Sequence, residues 1–353
     1  MATSGPYDVI VVGAGLTGAL VASILAEEGL QVVVLEATKA LGGTVRRVPA
    51  LALLGTPEPF AEIQTRHGAE VGRRIWELTA ENLARLEALL GRAGATSWKP
   101  GSLRLAVDTA QAESFRESAA QLSALGYTVK LEDDSRYGDL VALNTADDLL
   151  FEPQALINSL LDHENIIVEL NAEVHAIKPR SDGSLAVWAY RHYLWADKII
   201  FANGIHAARV VSGLAEALHP ACVHTLIFEN ANALERPLIL SNGRVCCLPH
   251  GDHVYLAGWD DNELATLDRL APVVNQLFPD SAVLERFTAW TARSEDMLPV
   301  VGKLHQIPSA YVVDGLGPFG LSLALIAADQ LVDVILEDRS PELFDVGRFW
   351  RQG

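Results

Sequence analysis

The sequence predicts an α/β chain of two intertwined domains, the first discontinuous and the second (α+β) organised on a mainly antiparallel sheet. Three observations lead there. Strand–helix alternation occupies residues 7–36 and returns at 310–337. Runs of strand character fill most of the stretch from 166 to 291. The chain has 353 residues, 50% of them hydrophobic, enough for two cores rather than one.

Residues 7–12 (YDVIVV) form a β-branched run of the kind found in strands buried on both faces. Gly13 to Gly18 turn the chain into a helix reaching about residue 28, Gly29 stops it, and 31–35 (QVVVL) is a second buried strand. Ile63, Val71, Ile75, Leu78, Leu86 and Leu89 recur at helical spacing, so 60–92 reads as one helix ending at Gly91. A second amphipathic helix covers 111–125, with Phe115, Ala119, Leu122 and Leu125 on one face. Pro153 suits the first turn of a helix reaching residue 161. Then the pattern changes to strands at 166–170, 172–178, 185–190 and 194–202, with Asp182-Gly183 at a hairpin turn. More strands follow near 223–229, 237–241, 244–249 and 253–258, then a helix at 262–277 and a strand at 283–291. A strand at 310–314 and a helix at 321–337 close the pattern. The expected division is 1–90, 150–215 and 296–353 for the discontinuous domain, and 91–149 and 216–295 for the second.

A net charge of −18 argues against a nucleic-acid or anionic-membrane surface, which would need clustered Lys and Arg. Cys222, Cys246 and Cys247 are an odd count with no CxxC spacing, so neither a disulfide framework nor a metal site is expected. A reducing cytoplasm fits. The opening 30 residues lack the basic start of a secretory signal, and the apolar stretch 319–336 carries Asp329 and Asp333, so no transmembrane span is expected.

The sharpest motif is Gly13-x-Gly15-x-x-Gly18, placed between a strand and a helix, with Glu36 closing the second strand 23 residues after Gly13. Gly13 permits the tight turn, Gly15 lets backbone approach a pyrophosphate, and Gly18 lets helix and strand pack closely. The positive helix end, with Leu16 and Thr17, then faces the phosphates. Glu36, followed by Ala37, can accept both ribose hydroxyls and would repel a 2′-phosphate. The plain alternative is a glycine-rich turn without a ligand. This Rossmann-like unit is followed by Gly42-Gly43-Thr44, a turn able to wrap a flavin dinucleotide that NAD enzymes do not need, so FAD is the expected cofactor.

A second cluster, Gly315-x-Gly317-x-x-Gly320 with Phe319 and Leu321, again separates a strand from a helix. Only 33 residues follow Gly320, too few for a second nucleotide unit, so the cluster is read as capping the same cofactor. Its alternative is an ordinary strand–helix turn.

Four stretches in order resemble the D-amino-acid oxidase, glycine oxidase and sarcosine oxidase superfamily of FAD enzymes: 7–37, 165–210, 292–302 (ARSEDMLPVVG) and 310–335. The resemblance implies a flavin domain assembled from both ends and the middle of the chain, covered by an antiparallel sheet that holds the substrate. It implies hydride transfer from the substrate's α-carbon to flavin N5, with alignment rather than a catalytic triad. It also implies a backbone contact from Val174 near the adenine, and a turn at Asn203-Gly204 beside the cofactor. The partners so implied are a small amine or amino acid and an acceptor, oxygen or a quinone or other carrier.

The sequence also departs from that pattern. The family's Arg-Pro segment is here Arg293-Ser294-Glu295-Asp296, two residues tighter, so Arg293 is a candidate carboxylate anchor whose alternative is an ion pair with Asp296 or Glu295. Arg46 and Arg47 follow the Gly42-Gly43-Thr44 turn, where sarcosine-oxidase relatives carry arginines beside flavin and substrate; the alternative is pairing with a phosphate or a surface carboxylate. Tyr255, across a turn from His250, is a further candidate for holding a carboxylate, against the commoner half-buried strand tyrosine. Trp259 and Trp290 read as core or pocket wall. No cysteine falls where relatives attach flavin covalently, so the FAD is expected to be non-covalent. Two rival readings are a flavin hydroxylase, though Asp314-Gly315 reverses that class's Gly-Asp, and a non-catalytic FAD-stabilised subunit. Adjacent Cys246 and Cys247 do not match the CxxxxC of flavin disulfide reductases.

Overall fold

The computed structural model describes residues 2–132, 141–229, 234–279 and 281–350. Five parallel strands form its centre, in the order Ile166–Leu170, Val32–Glu36, Ala2–Val12, His192–Phe201, Ala310–Asp314. The β-branched runs at 9–12 and 32–35 are buried, as strands sandwiched on both faces must be. Helices Leu16–Glu27, Pro153–Leu161 and Ala324–Glu337 cover one face, their buried side chains joining Val9, Val11, Val32 and Val34 in one core. The opposite face holds Ile10, Val12, Val33 and Leu35 against the hairpin Val174–Pro179 and Leu185–Ala189 and the short helix Ala207–Val210. Ile166–Leu170 thus joins the parallel sheet and not the antiparallel run expected around it.

A second sheet has eight strands, in the order Glu285–Arg293, His219–Glu229, His253–Asp260, Val245–His250, Leu238–Leu240, Ser102–Leu105, Ala142–Thr145, Val129–Glu132. All neighbours are antiparallel except Leu238–Leu240 with Ser102–Leu105. Helix Glu263–Leu277 packs on one face, led by Leu270 and Val273. A third, small sheet joins Ala50–Ala52, Leu149–Phe151 and Ser97–Trp98.

Two expectations change. The helix expected over 60–92 is two helices, Phe60–His67 and Ala69–Arg92, because Gly68 between them takes φ +88°, a value that breaks helical continuity. Seven strands of two to four residues, six of them between 50 and 151 and the other Val300–Lys303, had no sequence signal, since so short a run gives period-2 alternation nothing to repeat over. A buried ion pair braces this region. Arg104 and Asp148, 1% and 0% exposed, lie 3.3 Å apart. Arg104 also donates to the Leu54 and Thr56 carbonyls, and Asp148 accepts from Leu54 N–H and the Ser102 hydroxyl. Among the described residues no helix is long and apolar enough to cross a membrane.

Candidate active site

A cavity of about 730 Å³ runs from the C-terminal ends of the parallel strands to the antiparallel sheet. Its start is the first glycine turn. Gly13 has φ +106°, and a Cβ there would meet the Ala202 carbonyl oxygen at 2.5 Å. A Cβ on Gly18 would strike the Gly13 carbonyl, so that glycine serves helix–strand contact and does not line the cavity. A Cβ on Gly15 would meet nothing within 4 Å: the space in front of this residue is open, as close approach of a pyrophosphate requires. Helix Leu16–Glu27 has no side-chain cap, which leaves its first N–H groups to face the cavity beside Leu16 and Thr17.

Glu36, 7% exposed, ends the second strand and lines the cavity with Ala37. One carboxylate oxygen accepts from Ala14 N–H (3.0 Å), the other from the Thr38 amide and hydroxyl (2.9 Å each). Gly42 and Gly43 line the next reach, and Thr44 lies in the 3-10 turn Gly43–Arg47. Val174, Asn203 and Gly204 also line the cavity, and Asn203 Oδ1 is buried without a hydrogen-bond partner among the described residues, a polar group turned toward absent chemistry. From the second glycine cluster Gly317, Phe319, Gly320 and Leu321 line it, whereas Gly315 does not and instead, at φ +70°, donates its N–H to the Asp314 carboxylate. These features suit a dinucleotide: open backbone at the phosphate turn, an acceptor at the strand end, and an orphaned polar atom between them.

Asp314 is a site residue that the sequence reading passed over. It sits at the end of strand Ala310–Asp314, 6% exposed, and accepts from Gly204 N–H (2.5 Å) and Gly315 N–H (2.8 Å). Burial pushes its pKa up to about 7 against the pull of those two donors. Its position was the available signal, because ligands in parallel α/β sheets gather at the carboxyl ends of strands.

The far wall comes from the antiparallel sheet and includes Tyr255, Trp259 and Trp290. Burial, helped by Glu285, raises the Tyr255 hydroxyl pKa. Cys246 lines the cavity while Cys247 points into the core beneath, as strand alternation dictates for neighbours. Burial raises both thiols, Cys247 to about 12, and both cysteines are free.

The three arginines separate. Arg46 and Arg47 line the rim, exposed to solvent. Arg47 pairs with Glu285 and lies over the Phe287 ring, 4.2 Å from its centroid. Arg293 is not among the lining residues: its guanidinium donates to Asp261 at 2.8 Å. The expected alternative partner, Asp296, is taken by Arg348 at 2.8 Å. Arg293 therefore leaves the set of carboxylate anchors: at the end of the edge strand it pairs with Asp261, just past strand His253–Asp260 two places along the sheet, and not with a group in the cavity.

Comparison with known proteins agrees with this geometry. The chain is 25% identical, over a gapped alignment of 362 positions that covers 94% of it, to the tRNA 5-methylaminomethyl-2-thiouridine biosynthesis bifunctional protein MnmC of Thiobacillus denitrificans, and spans 57% of that relative. Its fold matches glycine oxidase from Geobacillus kaustophilus (TM-score 0.77, 18% identity, 97% of each chain). It also matches L-proline dehydrogenase from P. horikoshii (TM-score 0.81, 14% identity, 98% of each chain). The family described as DAO, FAD dependent oxidoreductase, matches residues 8–334. Nearly the whole chain, from the first strand to the last helix, is covered by that match: it belongs to the DAO family and is an FAD-dependent oxidoreductase.

Proposed function

We propose that the enzyme oxidises a small amine or amino acid at the carbon bearing nitrogen, within the reach of the cavity under the antiparallel sheet. One observation carries the reading: a single cavity joins the glycine cradle to that sheet without a break. FAD, when bound, supplies the two-electron acceptor. Gly13, Gly15, Leu16, Thr17 and Glu36 would hold its adenosine and phosphates, and Gly317 to Leu321 its other end. No residue of the sheet that lines the cavity is a base in neutral water, so the amine has to shed its proton before it lodges there. Aromatic and aliphatic walls exclude water, and alignment does the rest. In this reading 1–90, 150–215 and 296–353 form the FAD domain and 91–149 and 216–295 the cover, and the flavin is not covalently attached. Anaerobic bleaching of the flavin against a panel of amines, amino and imino acids tests it, and no bleaching by any of them sinks it. Recolouring on admission of oxygen identifies an oxidase; otherwise a quinone or protein carrier is the acceptor.

A second reading follows from the MnmC likeness: the amine is the side chain of a modified tRNA base. The net charge of −18 speaks against a polynucleotide substrate, and the chain spans little more than half of that relative. Salt-sensitive binding of unfractionated tRNA at physiological ionic strength would favour this second reading.

A further inference from the structure

The sheet that covers the cavity is a grid whose rows are set by strand register. Phe287 stands opposite Thr225, Thr225 opposite Ala257, and Ala257 opposite Cys246. In the next row Ala289 faces Val223 and Val223 faces Trp259. On the other side Tyr255 faces Leu248. Alternation sends all these side chains to one face. Small residues, Thr225, Ala257, Val223 and Ala289, lie at its centre, with Tyr255, Leu248, Trp259 and Phe287 around them, so the face is a hollow with an apolar rim.

None of the residues that these four strands contribute to the cavity is Asp, Glu, Lys, Arg or His. The charged lining groups lie elsewhere: Glu36, Glu173, Arg209 and Asp314 on the dinucleotide side, Arg46 and Arg47 in the rim turn. Arg47 is engaged by Glu285, and Arg293 by Asp261. A carboxylate under the hollow would be stripped of water and would meet no cation from the sheet itself, Arg46 standing in the exposed rim turn, so its transfer is strongly unfavourable. A neutral amine with an apolar substituent meets no such penalty and gains from burial.

We infer that the substrate is an amine whose nitrogen-bearing carbon carries an apolar or aromatic substituent and no carboxylate, an inference that rests on the amine oxidation proposed above. The C–H hydrogen leaves with its electron pair to the flavin and the N–H proton goes to solvent. The imine left behind adds water and splits into a carbonyl compound and an amine or ammonia.

The test compares aromatic molecules with and without a carboxylate. Benzylamine and phenylglycine (both enantiomers) are mixed anaerobically with the FAD-loaded protein, and benzyl alcohol and benzoate are titrated against its visible spectrum. Benzylamine should bleach the flavin at least about tenfold faster than phenylglycine, and benzyl alcohol should bind at least about tenfold tighter than benzoate. Ala257→Leu, which fills the hollow, should weaken benzyl alcohol binding at least about tenfold while FAD content stays stoichiometric. Val223→Leu in the adjacent row makes the same demand should Ala257→Leu not fold. Preference for phenylglycine or benzoate overturns the inference alone, most directly if Arg46→Ala removes that preference. Unchanged benzyl alcohol affinity in the filled variants also overturns it. Bleaching by no amine or amino acid overturns the oxidation reading, and this inference with it.

Discussion

Replacing Glu36 by Ala removes a carboxylate that is 7% exposed at the end of the second parallel strand. This group accepts three hydrogen bonds, from Ala14 N–H and from the amide and hydroxyl of Thr38. Its remaining lone pairs face the cavity, where two ribose hydroxyls can donate. Each charge-assisted bond contributes about 1.5 kcal/mol at the lower end of its range, so losing two costs about 3 kcal/mol, or roughly 150-fold in Kd. The loss of the Ala14 bond loosens the phosphate turn and adds to the effect, so the figure is a floor. Quenching of FAD fluorescence on titration into apoprotein measures the constant directly. A Kd within about threefold of the unaltered protein would refute the placement of ribose at Glu36.

Asp314, with its pKa raised to about 7, is protonated more readily folded than unfolded, so its contribution to apoprotein stability is full below about pH 4 and is lost as pH rises to 7. Chemical denaturation of Asp314→Asn and unaltered apoprotein across that range should show the gap shifting by up to roughly 4 kcal/mol in favour of the variant; parallel profiles would refute it. Asp148→Ala leaves the fully buried Arg104 uncompensated and should destabilise by about 3–5 kcal/mol in urea unfolding, while a value under about 1 kcal/mol would deny the brace. Arg293→Ala breaks a pair whose partner is exposed, so FAD content and turnover of amines with and without a carboxylate should change by less than about threefold and alike. A selective loss near a hundredfold for carboxylate-bearing substrates would return Arg293 to the site. Acid precipitation should release intact FAD into the supernatant, and yellow colour in the pellet would mean a covalent link.

The dinucleotide half of the site was legible because its chemistry is local: Gly13, Gly15, Gly18 and Glu36 lie within one strand–helix–strand unit, and each has a task at that spacing. The second glycine turn could be read for the same reason. The hollow could not. Phe287, Thr225, Ala257 and Cys246 are neighbours only through cross-strand register, and no sequence pattern states which strands pair or where. Arg293 was misplaced on the same ground, since its partner Asp261 lies 32 residues away, just past the end of strand His253–Asp260. Asp314 was visible as an acid before a glycine, but its worth comes from burial and from the Gly204 amide 110 residues earlier. Gly68 could have been seen as a break; the strong apolar period on either side hid it.

The order of the parallel sheet has a consequence for how the protein is made. Strand Ala2–Val12 is completed by His192–Phe201, and that strand by Ala310–Asp314. The phosphate turn Gly13 to Gly18 is synthesised about 300 residues before the residues that face it across the cavity, Gly317 to Leu321. At about 5–20 residues per second the nascent chain holds an unfinished sheet for roughly 15–60 s. FAD cannot be captured piecemeal during that interval. It meets a sheet whose last strand is already in place, and by binding the folded form alone it draws folding to completion. The yield of intact enzyme therefore rises with the flavin supply of the cell that synthesises it.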